Sequence, residues 1–283
     1  MKLNGKKISE RIINNLKKKP VPKKFLAVFV IRSDKGSFGF VNKKKEIAKE
    51  LGVDFRVYEF DEEITNDGAR EQVLKIAKHK TCGGVVVQLP LREGLNKHYV
   101  VNVIPREKDV DVLGERALGA FYNGRNFILP PSVAVVSQIL CEAYNVPHEE
   151  INGVLKNKTA AVVGSGFLTG KPIAVWLLGK ARETIVLGRG SNLEFLKKAD
   201  LVISGVGKPK FFGPELLKKG AGVIDFGYGK ISKQEQSPFL GDLDVSKEKE
   251  LEKLAFYTPT PGGTGPILVA KLFENFYVLA KDK

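Results

Sequence analysis

Histidine, cysteine and methionine are all scarce in this chain, with three His, two Cys and one Met among 283 residues. Cys82 and Cys141 stand far apart without metal-ligand spacing, and His79, His98 and His148 do not cluster with them. Neither a disulfide nor a bound metal is expected. No apolar run approaches the roughly 20 residues that cross a bilayer. The opening MKLNGKKISE lacks the apolar segment of a signal peptide, so a cytoplasmic protein with no membrane partner is expected. Acid is also in deficit, since 46 Lys and Arg against 32 Asp and Glu leave a formal charge of +14. That excess invites a nucleic-acid reading. The bases are interleaved with acids, however, as in KKKEIAKE and KEKELEK, and no nucleic-acid-binding motif accompanies them. Anionic substrates, or a codon bias towards Lys, would produce the same excess.

What the chain does have is 43% hydrophobic residues and a length that favours two domains. An amphipathic helix over Ile8–Leu16 precedes a continuously apolar run, Phe25–Ile31, which reads as a buried strand. A helix over Ser37–Leu51, an alternating strand Asp54–Phe60, a helix from about Asn66 to His79 and a buried strand Gly83–Val87 follow. Strands alternating with helices imply a parallel sheet with right-handed crossovers, in which ligands gather beyond the carboxyl ends of the strands.

One residue in the Ser37–Leu51 helix is out of place. Phe40, Val41, Ile47, Ala48 and Leu51 form an apolar stripe, and Lys44 falls inside it, four positions after Phe40 and three before Ile47. An inward ammonium needs polar partners in a cleft, or else its stem covers apolar surface while its head reaches solvent. Gln88 projects from the carboxyl end of the third strand, at the same sheet edge as the start of this helix. Asp109 and Asp111 flank a single valine, and on an extended segment their carboxylates would point the same way, able to set the charge of a nearby lysine. Ser132 is positioned to cap a helix running to about Tyr144, read as the bridge between two domains.

The second half opens with a buried strand, Thr159–Val163, followed by Gly164, Ser165, Gly166 and Gly170 in the spacing G-x-G-x-x-x-G. Such a strand–turn–helix lets backbone amides approach a pyrophosphate, although the spacing is one residue longer than the usual dinucleotide fingerprint. Further strands, Thr184–Leu187, Leu201–Ser204 and Gly222–Asp225, each run into glycine: Gly188, then Gly205 and Gly207, then Gly227. Bulky side chains there would block a nucleotide lying across the strand ends. No acid follows the second strand to hold ribose hydroxyls; Arg189, with Ser191 and Ser165, suits a 2′-phosphate, which favours NADP over NAD. An ordinary surface arginine is the other reading of Arg189. The loop Tyr257–Pro266, rich in proline and glycine, opens a final amphipathic helix over Ile267–Leu279.

In this order, Val87-Gln88-Leu89-Pro90-Leu91, Lys108-Asp109-Val110-Asp111, Val206-Gly207-Lys208-Pro209, Val223-Ile224-Asp225 and Thr258-Pro259-Thr260-Pro261-Gly262-Gly263 resemble the bifunctional methylenetetrahydrofolate dehydrogenase/methenyltetrahydrofolate cyclohydrolase family over essentially the whole chain. The resemblance implies an α/β fold of two domains. Residues 1–130 with 262–283 would form a βαβ catalytic domain onto which the C-terminal helix packs back, and 131–261 a Rossmann-like NADP domain. It further implies that Lys44 handles protons in hydrolysis, that Gln88 tunes it, and that Asp111 with Asp109 holds the pterin. Ser37, Phe40, Leu89, Pro90, Pro261, Gly262 and Gly263 would line the substrate site. Asp225 joins the glycine turns on the cofactor side. The implied ligands are NADP and tetrahydrofolate derivatives, possibly polyglutamylated, and the implied assembly is a homodimer.

Four departures mark this chain. The family's catalytic helix reads S-x-x-Y-V-x-x-K, and here Phe40 stands where tyrosine is usual. Ser165 replaces a phosphate-binding arginine, Val112 replaces a glycine, and Pro130-Pro131-Ser132-Val133 replaces Pro-Cys-Thr-Pro. The readings left open are an enzyme with both activities, a dehydrogenase with weak or lost cyclohydrolase, a folate- or nucleotide-binding protein without turnover, and a basic nucleic-acid binder.

Overall fold

The computed structural model describes residues 1–31, 35–231 and 239–281, without side chains at 35–38. The chain divides into two compact units. One, here the first unit, comprises residues 10–131 and 269–283; the other, the second unit, comprises residues 1–9 and 132–268. This differs from the expected division at residues 1–9 and 262–268, which belong to the second unit. Backbone pairing is the reason. Leu3 N donates to Tyr257 O at 2.9 Å, Tyr257 N to Met1 O at 3.0 Å, and Gly5 N to Gly262 O at 3.0 Å.

Within the first unit the strands are β1 (Phe25–Ile31), β2 (Phe55–Phe60) and β3 (Cys82–Val87), all parallel in the order β2-β1-β3. Every residue of β1 is buried, as its unbroken apolar run requires for a central strand. The helices are α1 (Gly5–Lys17, divided between the units after Ser9), α2 (Lys35–Leu51), α3 (Asn66–Ala77), α4 (Lys97–Val101) and α5 (Glu115–Tyr122). Thr65 caps α3, its hydroxyl accepting from Gly68 N at 3.1 Å.

The second unit carries β4 (Thr159–Val163), β5 (Glu183–Leu187), β6 (Leu201–Ser204), β7 (Gly222–Asp225), the short pair β8 (Gly229–Lys230) and β9 (Phe239–Leu240), and β10 (Phe256–Tyr257). Its parallel sheet has the order β10-β7-β6-β4-β5. The strand order therefore reverses between β4 and β6, the kind of switch point at which open α/β sheets bind ligands. Its helices are α6 (Pro131–Tyr144), α7 (Ile151–Leu155), α8 (Gly170–Leu177) and α9 (Glu248–Leu251). Ser132 does not cap α6 as expected. The helix already begins at Pro131, and Ser132 Oγ donates instead to Leu168 O at 2.7 Å.

The last helix, α10 (Thr264–Leu279), contributes its residues from Val269 onward to the first unit, as expected. Phe276 is fully buried there, and a Cβ on Gly84 of β3 would lie 2.9 Å from its ring. Asn275, buried on the apolar face of the same helix, donates through Nδ2 to Val110 O at 3.0 Å and to Leu129 O at 2.9 Å. Asn275→Ala would leave two carbonyls without their donor, so it should lower unfolding stability by about 2 kcal/mol or more. A urea midpoint matching wild type, at unchanged slope, would contradict this account.

Candidate active site

Lys44 lies on α2 between Val41 and Ala48, which are 2% and 1% exposed. Its Nζ donates to Gln88 Oε1 at 2.6 Å. Gln88 sits one residue beyond β3, where its backbone N continues the ladder by donating to Phe29 O at 2.8 Å. Its Nε2 donates to Leu89 O at 3.0 Å, which leaves the amide oxygen to face the amine. Burial lowers the Lys44 pKa, and the charge of Asp111 opposes that shift. The effect is mutual, because burial raises the Asp111 pKa while Lys44 pulls it down. Lys44, Gln88 and Asp111 thus form one cluster at the carboxyl ends of β1 and β3, which gives the inward lysine the polar partners it requires. Phe40, one turn before Lys44, is 41% exposed. Leu89 is half-buried and Pro90 exposed. Ser37 falls within α2, but its side chain lies outside the described residues.

Asp109 is bonded to the turn that follows it. It follows a 3-10 turn over Arg106–Lys108 and is 1% exposed, with Oδ2 accepting from Leu113 N at 2.9 Å and Gly114 N at 2.7 Å. The extended geometry expected for Asp109–Asp111 is not present. Val110 and Asp111 form a turn, and Val112 adopts a left-handed φ of 56°. The two carboxylates consequently take separate partners, with Asp109 clamping the following turn and Asp111 coupling to the lysine.

In the second unit, Gly164 leaves β4 with φ 92° and donates to Leu187 O at 2.8 Å. Gly170 opens α8 so near this turn that a Cβ there would run into the Gly164 carbonyl, which is why the position requires glycine. Gly205 N, after β6, donates to Val163 O at 3.0 Å, and a Cβ on Gly164 would lie 3.2 Å from Gly205 O. The two turns therefore adjoin at the switch point. At Gly166, Gly188 and Gly207 the space where a Cβ would stand is open. Ser165 and Arg189 are exposed and Ser191 partly so. The glycine turns thus leave open space at the carboxyl edge of this sheet.

Asp225 and Gly227, expected on the cofactor side, are bonded to each other within the loop after β7. Asp225 is 1% exposed; its Oδ1 accepts from Gly227 N at 2.7 Å and its Oδ2 from Leu243 N at 2.9 Å. Sequence reasoning assigned no role to Asp242, which is fully buried and accepts from Ser204 Oγ at 2.6 Å, Val206 N at 2.7 Å and Lys208 N at 2.9 Å. Pro261, Gly262 and Gly263 also lie in the second unit, with Gly262 at φ 95° and Gly263 buried. Among the described residues no group of three or more His, Cys, Asp and Glu is placed to hold a metal, and no helix is long and apolar enough to cross a membrane.

A parallel sheet with adjoining glycine turns at its switch point, carried in one chain with a desolvated lysine on an amide and a carboxylate, defines a class: a dinucleotide-binding α/β protein with a second, lysine-centred site. Comparison with known proteins narrows that class. Residues 3–111 match the model of the tetrahydrofolate dehydrogenase/cyclohydrolase catalytic domain, and residues 144–283 that of the NAD(P)-binding domain of the same family. The bifunctional protein FolD of Methanoculleus marisnigri is 32% identical, over 99% of this chain and 96% of its own. The crystal structure of FolD from Campylobacter jejuni has a TM-score of 0.88 at 27% identity, covering 99% of this chain and 98% of that one. FolD from Trypanosoma brucei, solved with NADP and an inhibitor, has a TM-score of 0.87 at 26% identity, covering 99% and 97%. The chain belongs to the tetrahydrofolate dehydrogenase/cyclohydrolase family.

The buried carboxyl of Asp109 has a testable consequence. Burial pushes its pKa up to about 7, against the pull of the Gly114 and Leu113 amides, from an ordinary value of 3.8. Between those values the native state holds a proton that the unfolded chain has released, so stability falls as pH rises. Asp109→Asn removes that contribution, and the decline in urea midpoint between about pH 4 and about pH 7 should become shallower. An unaltered slope would show that Asp109 does not titrate in this window.

Proposed function

We propose that this chain oxidises 5,10-methylenetetrahydrofolate to the 5,10-methenyl form with NADP, and hydrolyses that product to 10-formyltetrahydrofolate with Lys44 as the proton-handling group. Membership of the family supports both activities. The observation that carries the second is the 2.6 Å bond from Lys44 Nζ to Gln88 Oε1 beside Asp111. A free lysine is too basic to serve as an efficient base near neutrality, and desolvation corrects this by favouring the neutral amine.

NADP, when bound, supplies the acceptor for the hydride that leaves the methylene carbon. On this reading Gly164, Ser165, Gly166 and Gly170 hold its pyrophosphate, and Arg189 with Ser191 and Ser165 its 2′-phosphate. The open space at Gly166 and the exposed Arg189 support that assignment. The NADP complex of the Trypanosoma brucei relative supports the choice of nucleotide. For hydrolysis, water adds to the methenyl carbon and gives a proton to the Lys44 amine. The bond from that carbon to N5 then breaks as the ammonium returns the proton to N5 and the carbinol O–H releases its own proton to solvent, so that the carbon–oxygen double bond forms and the formyl group stays on N10. Gln88 aims the amine, and Asp111 holds the pterin and steadies the transient ammonium.

Phe40 favours a second reading, a dehydrogenase with weak or lost cyclohydrolase. Its ring can stack on the pterin but brings no hydroxyl to substrate or lysine. The excess of basic residues supports a polyglutamylated folate as substrate. The outer edge of β5, where Val186 is 48% exposed, supports a homodimer, and the reading places the protein in the cytoplasm.

A single assay separates these readings. Protein, methylenetetrahydrofolate and NADP are mixed, and NADPH and methenyl absorbance are followed together. NADPH without methenyl accumulation supports both activities. Methenyl accumulating at the spontaneous hydrolysis rate supports the second reading, and absence of NADPH overturns both. Lys44→Met should abolish hydrolysis of supplied methenyltetrahydrofolate while leaving NADP affinity within about twofold; undiminished hydrolysis would remove the lysine from the mechanism. Arg189→Ala should raise the KM for NADP by about tenfold or more and leave that for NAD nearly unchanged. Equal effects on the two nucleotides would end the 2′-phosphate assignment.

A further inference from the structure

The backbone around β6 and β7 is held by two buried carboxylates in series. Asp225, the last residue of β7, accepts from Leu243 N through Oδ2. The segment it holds, Gly241–Leu243, also accepts from Lys210 N at Gly241 O, 2.9 Å away, and from Phe212 N at Asp242 O, 3.1 Å away. That segment presents Asp242, whose Oδ2 receives Ser204 Oγ and Val206 N and whose Oδ1 receives Lys208 N. Val206 and Lys208 bracket Gly207, which has φ 74°. Asp242 therefore grips the turn after β6 on both sides of its left-handed residue, and does so from within the protein. The packing is tight, because a Cβ on Gly227 would collide with the Asp242 carboxylate and one on Gly241 with that of Asp225.

The turn so gripped is the one whose first residue, Gly205, adjoins Gly164. The approach leaves little space for a side chain on either turn: a Cβ on Gly164 would stand 3.2 Å from Gly205 O, and one on Gly205 would stand 3.0 Å from Thr169 Cγ2. The turn that Asp242 holds is therefore the immediate neighbour of the Gly164 turn.

We infer that Asp242 is a positioning residue for nucleotide binding: it touches no ligand and acts by holding the Val206–Gly207–Lys208 turn at the width that admits the pyridine dinucleotide. This rests on the reading of the glycine turns as the NADP site. Loss of such a brace removes binding common to ground and transition states, which raises KM and spares kcat.

The test is Asp242→Asn, which keeps the shape but can accept from only one side of the turn. Its dehydrogenase KM for NADP should rise by about tenfold or more, with kcat within about threefold of wild type. Hydrolysis of supplied methenyltetrahydrofolate, assayed without nucleotide, should match wild type and thereby report an intact fold. Gly227→Ala, whose added methyl group would run into both the carboxylate and the backbone N of Asp242 and so displaces the brace without removing its charge, should give the same split and serves if the first variant does not fold. An unchanged KM for NADP in a folded variant overturns the inference, as does a fall in kcat at unchanged KM. If wild-type protein reduces no NADP and binds none in a fluorescence titration, the proposed function fails instead, and Asp242 is not the cause.

Discussion

The first unit depends on keeping an amine out of water while leaving it a partner. Lys44 sits on the face of α2 that buries Val41, Ala48 and Leu51, so the packing that stabilises the helix against its sheet also strips the ammonium of solvent. Such a placement is tolerable only with polar company. Gln88 supplies an oxygen and Asp111 a charge, and each comes from a different crossing of the carboxyl edge of the sheet. The strand order β2-β1-β3 puts those crossings beside the start of α2. The partnered, desolvated amine is a product of topology.

Carboxylates do the corresponding structural work in both units. Asp109 and Asp225 are each 1% exposed, and each accepts from several backbone amides just past a strand or a strand-like segment. Loops at the carboxyl edge must leave room for ligands, so they cannot be filled with apolar side chains. A buried acid that collects amides is another way to hold such a loop still, and the bonds offset part of the cost of burying the charge. Burial nevertheless prevails, and both groups have pKa values raised to about 7.

How far the sequence revealed this depended on whether a signal was local. Phe25–Ile31, Thr159–Val163, Leu201–Ser204 and Gly222–Asp225 coincide with β1, β4, β6 and β7, because an unbroken apolar run ending in polar residues or glycine describes a buried parallel strand directly. Lys44 and Gln88 were legible for a similar reason, one as a charge on an apolar stripe and the other as an amide at a strand end. The extended geometry of Asp109 to Asp111 was misread because a spacing of two has meaning only on extended backbone, and the left-handed Val112 belongs to a turn. The pairing of Met1 and Leu3 with Tyr257 has no periodicity to betray it. Asn275 did leave a signal, an amide on the apolar stripe of α10, and the argument applied to Lys44 would have found it.

The units are each assembled from two separated pieces of chain, and that has a consequence for how the protein comes into being. Asn275 reaches Val110 and Leu129 across 165 and 146 positions of sequence, and residues 10–131 share a unit with 269–283. A ribosome delivers the chain from its N-terminus, so the lysine-bearing unit waits, with an apolar face uncovered, until the whole dinucleotide-binding segment has been made. Its final helix closes it last. The core of the first unit is therefore completed only after the second unit's own segment has left the ribosome.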